Sequence, residues 1–144
     1  MMMIPRGYQP DTPASEKPAE DFVPKVEDLA PMGKFNDDME AAGMLIEVDG
    51  LHPLSKGARV AFAKGKAMVT DGPFIESKEV IGGFWILQAN SKQEVVEWAR
   101  RCPALDGDVL EIRQIFEMSD LSPEVQEAAK KRTEREPGEK PKSH

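Results

Sequence analysis

The run Gly83-Phe84-Trp85-Ile86-Leu87 constrains this chain more than any other stretch. It is too short to cross a bilayer, which takes about 20 apolar residues. It is also too uniform for a helix with one wet face. It reads instead as a strand with apolar side chains on both faces, a pattern that demands cover on each side. Downstream, Ser91 and Glu94 form an S-x-x-E capping box, the start signal of a helix. Val95, Trp98 or Ala99, and Cys102 follow at helical spacing, and Pro103 ends it.

The rest of the chain supplies the partners of that strand. Met1 to Ile4 reads as a short strand stopped by Pro5. Residues 7–24, with Pro10, Pro13, Pro18 and Pro24, read as a loop excursion. Met32, Phe35, Met39 and Ala42 recur three and four apart and predict a helix from about 31 to 42, with room for an extra turn before it, Pro31 suiting a first-turn position and Gly43 its stop. Met44 to Val48 is a strand. Ala58 to Ala63 and Ala67 to Thr70 form a hairpin around Lys64-Gly65, and Asp71-Gly72-Pro73 breaks its pairing. Val109 to Phe116 is a last strand, and Ser122-Pro123-Glu124 opens a last helix. From Glu134 the composition predicts a disordered tail.

This order predicts an α+β sandwich of ferredoxin-like type, with an antiparallel sheet carrying helices on one face. One domain is expected over residues 1–118, followed by a helix and tail over 119–144. The second sheet face is then bare and apolar, and a homodimer burying it is the simplest cover.

Charge narrows the partners. Of 26 acids and 19 bases, residues 1–50 hold 11 acids and 4 bases, so the whole net charge of −7 falls there (11 − 4 = 7), and the remainder balances at 15 each. Such a chain is not expected to bind nucleic acid directly. A single cysteine excludes an internal disulfide framework and fits a reducing cytoplasm. No membrane span, metal or cofactor is expected: one histidine inside the domain plus scattered acids has no ligand spacing, and no glycine-rich phosphate loop follows a strand.

Six ordered stretches resemble the YCII-related family, and more narrowly the branch marked by a D-G-P-F motif. They are G-L-H-P (50–53), S-K-G-A-R-V (55–60), V-T-D-G-P-F (69–74), G-G-F-W (82–85), W-A-R-R-C-P (98–103) and E-I-R-Q (111–114). The resemblance covers residues 32–118. It implies a ferredoxin-like domain assembled as a dimeric α/β barrel, in small bacterial proteins mostly without an assigned activity. Some members are encoded beside or fused to sigma factors, which implies a sigma factor as a further partner. A better-studied branch carries a histidine on the first helix and an aspartate in a D-P motif after the second. This chain has no histidine on the first helix and Cys102-Pro103 in the second place, so that pair does not carry over.

The candidate site lies between residues 50 and 78, around an unidentified small molecule. His52 is a candidate acid, base or ligand, or a loop histidine satisfied by a carbonyl. Asp71 is its candidate partner in an acid–base pair, or the start of a self-contained turn. Ser55, Glu76 and Lys78 are candidate lining residues. Arg59, projecting opposite Val60 and Phe62, is a candidate anion contact. Gly72, Pro73 and Phe74 are candidate ligand-binding residues of the same turn, although Gly72 and Pro73 also serve the turn itself and Phe74 is rather expected to plug the core beneath it. Cys102, at a helix end, is expected to be structural. The leading expectation is a small-molecule-binding homodimer. The alternatives are an enzyme using His52 and Asp71, or an interaction protein linked to a sigma factor.

Overall fold

A computed structural model describes residues 1–19, 23–74 and 79–133. They fall into two units, Met1–Arg113 and the segment from Gln114 onward. Glu76, Lys78 and the tail beyond Thr133 lie outside the described residues.

In the first unit, strands β1 (Met2–Ile4), β2 (Leu45–Gly50), β5 (Gly83–Leu87) and β6 (Val109–Glu111) make one antiparallel sheet in the order β2-β5-β1-β6. Helix α1 (Val26–Ala41) follows β1, and helix α2 (Lys92–Ala99) follows β5. This α+β order, with a separate hairpin inserted between β2 and β5, is consistent with a ferredoxin-like fold. The sheet is open, and no closed barrel forms among the described residues.

The core lies between the helices and one sheet face. Phe35 and Met39 of α1 and Trp85 of β5 are its buried centre, with Leu45, Val48, Leu87, Trp98 and Leu110 packed around it. Trp85 meets the Phe35 ring edge-on at 6.4 Å and donates its indole N–H to Asn36 Oδ1 at 2.8 Å. Phe35 also meets Trp98 of α2 at 6.4 Å, so one aromatic ring joins both helices to the sheet. Register then decides the rest. Trp85 and Leu87 point to the helices, whereas Phe84 and Ile86 point away and are only partly buried. The run 83–87 is therefore covered on one face in this chain, not two.

Two boundaries differ widely from expectation. Helix α1 starts at Val26, so Pro31 lies inside it rather than in its first turn. The earlier start is fixed by Asp28, whose carboxylate accepts the Lys25 backbone N–H at 3.1 Å, an N-terminal tie that no apolar spacing signals. Strand β6 ends at Glu111, not Phe116: β1 offers three residues for pairing, and Met2 opposite Glu111 is the last of that register. Ile115 and Phe116 are exposed and belong to the second unit. Helix α2 keeps its expected cap, as Ser91 Oγ accepts the Glu94 N–H at 3.2 Å, but the Glu94 carboxylate reaches back to Asn90 N–H at 2.8 Å.

In the second unit, helix α3 (Pro123–Thr133) begins with proline directly after Ser122, as its sequence predicts. Among the described residues no helix is long and apolar enough to cross a membrane.

Cys102 packs at the edge of the core. Burial, with Asp108 nearby, pushes its thiol up to about 11. Because the thiolate is the reactive form, Ellman's reagent at pH 8 is expected to modify the folded protein at least ~100-fold more slowly than a free thiol of ordinary pKa. The rate should climb with pH toward 11, and unfolding in urea should abolish the difference. Rapid labelling of the folded protein at pH 8 would overturn the structural assignment of this cysteine.

Candidate functional site

Strands β3 (Ala58–Ala63) and β4 (Lys66–Asp71) form the expected hairpin, closed by Lys64 and Gly65 at φ 49° and 73°. Positive φ at both central positions is the geometry of a type I′ turn, which matches strand twist. Pairing stops at Asp71 opposite Ala58, and the Gly72-Pro73 peptide that follows is cis. Gly72 is there for closeness. Its N–H donates to Gly57 O at 2.8 Å, and a Cβ at this position would lie 1.7 Å from the Leu54 carbonyl oxygen. The D-G-P-F turn is thus pressed against a short 3-10 turn over Leu54–Lys56.

Beside that contact lies an open cleft of about 340 Å³. One wall is Pro53, Leu54, Ser55, Pro73 and Phe74, and the other is Gly7, Tyr8, Pro10, Lys17 and Pro18. Phe74, expected as a core plug, stands outside the core cluster, half-buried at the cleft. The Arg59 guanidinium lies 4.2 Å over its ring, a cation–π contact that holds the ring in place while keeping the charge beside the cleft.

The far wall is built by the segment expected as a loop excursion. Gln9 is buried and acts as a strand surrogate. Its side chain donates to the carbonyls of Pro5 at 2.7 Å and Val80 at 3.1 Å and accepts the Val80 N–H at 2.9 Å. Thr12, also buried, donates its hydroxyl to the Arg6 carbonyl. The Arg6 N–H donates to Asp108 Oδ1 at 2.8 Å, and its guanidinium pairs with Asp11 at 3.1 Å. That hydrogen bond from Arg6 holds the Asp11 carboxyl below the usual carboxylate range. The Lys17 ammonium, at the rim, donates to the Pro10 carbonyl at 3.1 Å.

Of the sequence-predicted site residues, the structure brings Ser55, Pro73 and Phe74 to the cleft, with Arg59 stacked behind Phe74 and Gly72 setting the turn. His52 and Asp71 are exposed and do not line it. Neither side chain has a hydrogen-bond or ionic partner among the described residues. Tyr8 and Lys17 were missed. The sole tyrosine, with Gly7 before it and Gln9-Pro10 after it in an otherwise small and polar stretch, is the available signal. Among the described residues no group of three or more His, Cys, Asp or Glu is placed to hold a metal.

The sequence model of the YCII-related domain matches residues 8–119. The chain belongs to the YCII-related family. An uncharacterized protein, R00369, of Rhizobium meliloti (strain 1021) is 37% identical over 59 residues, 41% of this chain and 48% of that protein. The chain therefore spans about half the length of the curated relative that it matches.

Proposed function

We propose that this YCII-related protein, of the D-G-P-F branch, is a small-molecule-binding homodimer whose ligand sits in the cleft between Tyr8 and Phe74. The observation that carries the reading is convergence: the family-like turn and the anchored N-terminal loop, more than 50 residues apart in sequence, build opposite walls of one cleft. Its volume of about 340 Å³ falls at the lower end of ligand sites, roughly 300–1,000 Å³. Two aromatic rings suit a planar apolar body, and the Lys17 ammonium at the rim suits a carboxylate or phosphate on it. The homodimer reading rests on the outward-facing Phe84 and Ile86 of the open sheet face, which a second copy would cover.

A thermal-shift screen of aromatic and heteroaromatic acids tests the ligand assignment. A true ligand at a hundredfold over its Kd adds ~2.7 kcal/mol, which raises Tm by about 5–10 °C. Phe74→Ala and Lys17→Ala should abolish the shift, and His52→Ala should leave it intact. A shift lost only in His52→Ala would favour acid–base or binding chemistry at the exposed loop instead, and no shift with any compound would remove the proposal.

A further inference from the structure

All twelve residues of the hairpin strands Ala58–Ala63 and Lys66–Asp71 are exposed on both faces. A two-stranded ribbon standing alone is marginal in water, so this arm is built to rest on something. Register gives it two unlike faces. Val60, Val69 and Phe62 share one side, exposed by 51%, 69% and 80%, while Arg59, Met68 and Lys66 share the other. Residues 58–70 carry three cations, Arg59, Lys64 and Lys66, and no acid. The two lysines flank the Gly65 tip.

The complement exists on the open sheet face. Along its β2 side Ile46, 63% exposed, lies at the register shift between Leu45 and Glu47, which pair with Leu87 and Ile86 of β5, while Phe84 pairs further along. There Glu47 pairs in register with Ile86 and Asp49 with Phe84, so both acids project on the same side as those apolar residues. Neither acid has an ion-pair partner among the described residues. An apolar strip with an acidic edge faces, in chemical terms, an apolar arm with a basic tip, and such matching sets orientation between surfaces. We infer that the β3–β4 hairpin of each copy docks on the β2 side of the other copy's open sheet face. Phe62 and Val60 lie against Ile46 and Ile86, and the tip, where Lys64 and Lys66 flank Gly65, reaches Glu47 and Asp49. The exchange is reciprocal, as a two-fold pair of identical chains requires. This inference rests on the homodimer reading above and names the element that completes its interface.

Light scattering and sedimentation of the full chain, from low to high micromolar, test it. Phe62→Asp is expected to weaken the dimer at least ~30-fold, as loss of an aromatic anchor does, and to leave the thermal melt of the monomer unchanged because Phe62 is exposed. The doubly substituted chains K64E/K66E and E47K/D49K should each be monomeric alone. Mixed, they should associate, because every arm then meets a face of opposite sign. A monomeric wild type would overturn both this inference and the dimer reading. A dimer broken by Ile86→Asp but indifferent to Phe62→Asp would keep the sheet-face dimer and sink the arm. Loss on Phe62→Asp without rescue in the mixture would refute the docking on the β2 side.

Discussion

Trp85→Ala is expected to lower stability by about 3–5 kcal/mol, the range for emptying a buried aromatic site. The indole is 5% exposed, holds the Phe35 ring edge-on and donates its N–H to Asn36. Its removal opens a cavity against Phe35 and Met39, the latter fully buried at 0%. Because Phe35 also contacts Trp98, the loss loosens both helices at once. Against a total stability of roughly 5–15 kcal/mol, this variant should be largely unfolded in mild urea. Trp85→Phe keeps the ring packing and forfeits the hydrogen bond, so about 1–2 kcal/mol is expected. Urea titrations followed by far-UV circular dichroism measure both. A Trp85→Ala change below about 1 kcal/mol would mean that the core is centred elsewhere.

Gly72→Ala is the second large effect, and its cause is steric rather than hydrophobic. The added methyl carbon would sit 1.7 Å from the Leu54 carbonyl oxygen and 2.7 Å from its carbon. Backbone atoms cannot rotate out of the way, so the turn must lift from the 54–57 segment and release the Gly72 to Gly57 hydrogen bond. A cost of about 2–3 kcal/mol is expected from such overpacking. Gly50→Ala is the control, since nothing lies within 4 Å of its Cβ position, and it should change stability by no more than about 0.5 kcal/mol. The same movement separates Leu54 and Ser55 from Pro73 and Phe74, so any ligand shift found for the wild type should vanish in Gly72→Ala. Equal melting curves for the two alanine variants would refute the close contact.

The hairpin shows how far local chemistry reaches. Alternating residues and Lys64-Gly65 predict both strands to within a residue, because a two-residue turn with positive φ at both centres leaves one register. The cap of α2 is legible for the same reason: it involves atoms three or four residues apart. The Asp28 tie that starts α1 is equally local but was hidden by Pro31, which reads as a first-turn residue and here lies within the helix.

The site divides along the same line. Ser55, Pro73 and Phe74 of the cleft are legible as candidates because the segments that carry them are written in nearby residues. Tyr8 and Lys17 are not, because what holds their wall in place is Gln9 reaching Val80 and Arg6 reaching Asp108, contacts 71 and 102 residues apart. Single-sequence spacing contains no term for such pairs. His52 draws attention through its chemistry, and the structure places it exposed and outside the cleft lining, a position that no local spacing reveals.

By itself, then, the sequence determined the order of strands and helices, the turns, the family and the apolar stock of the core, since each is a property of neighbouring residues or of composition. The tertiary structure alone decided which face of Phe84-Trp85-Ile86-Leu87 the helices cover, where β6 stops, and which loop stands opposite the D-G-P-F turn. Those outcomes depend on strand register and on a few long-range hydrogen bonds, which fix positions only after the chain has closed on itself.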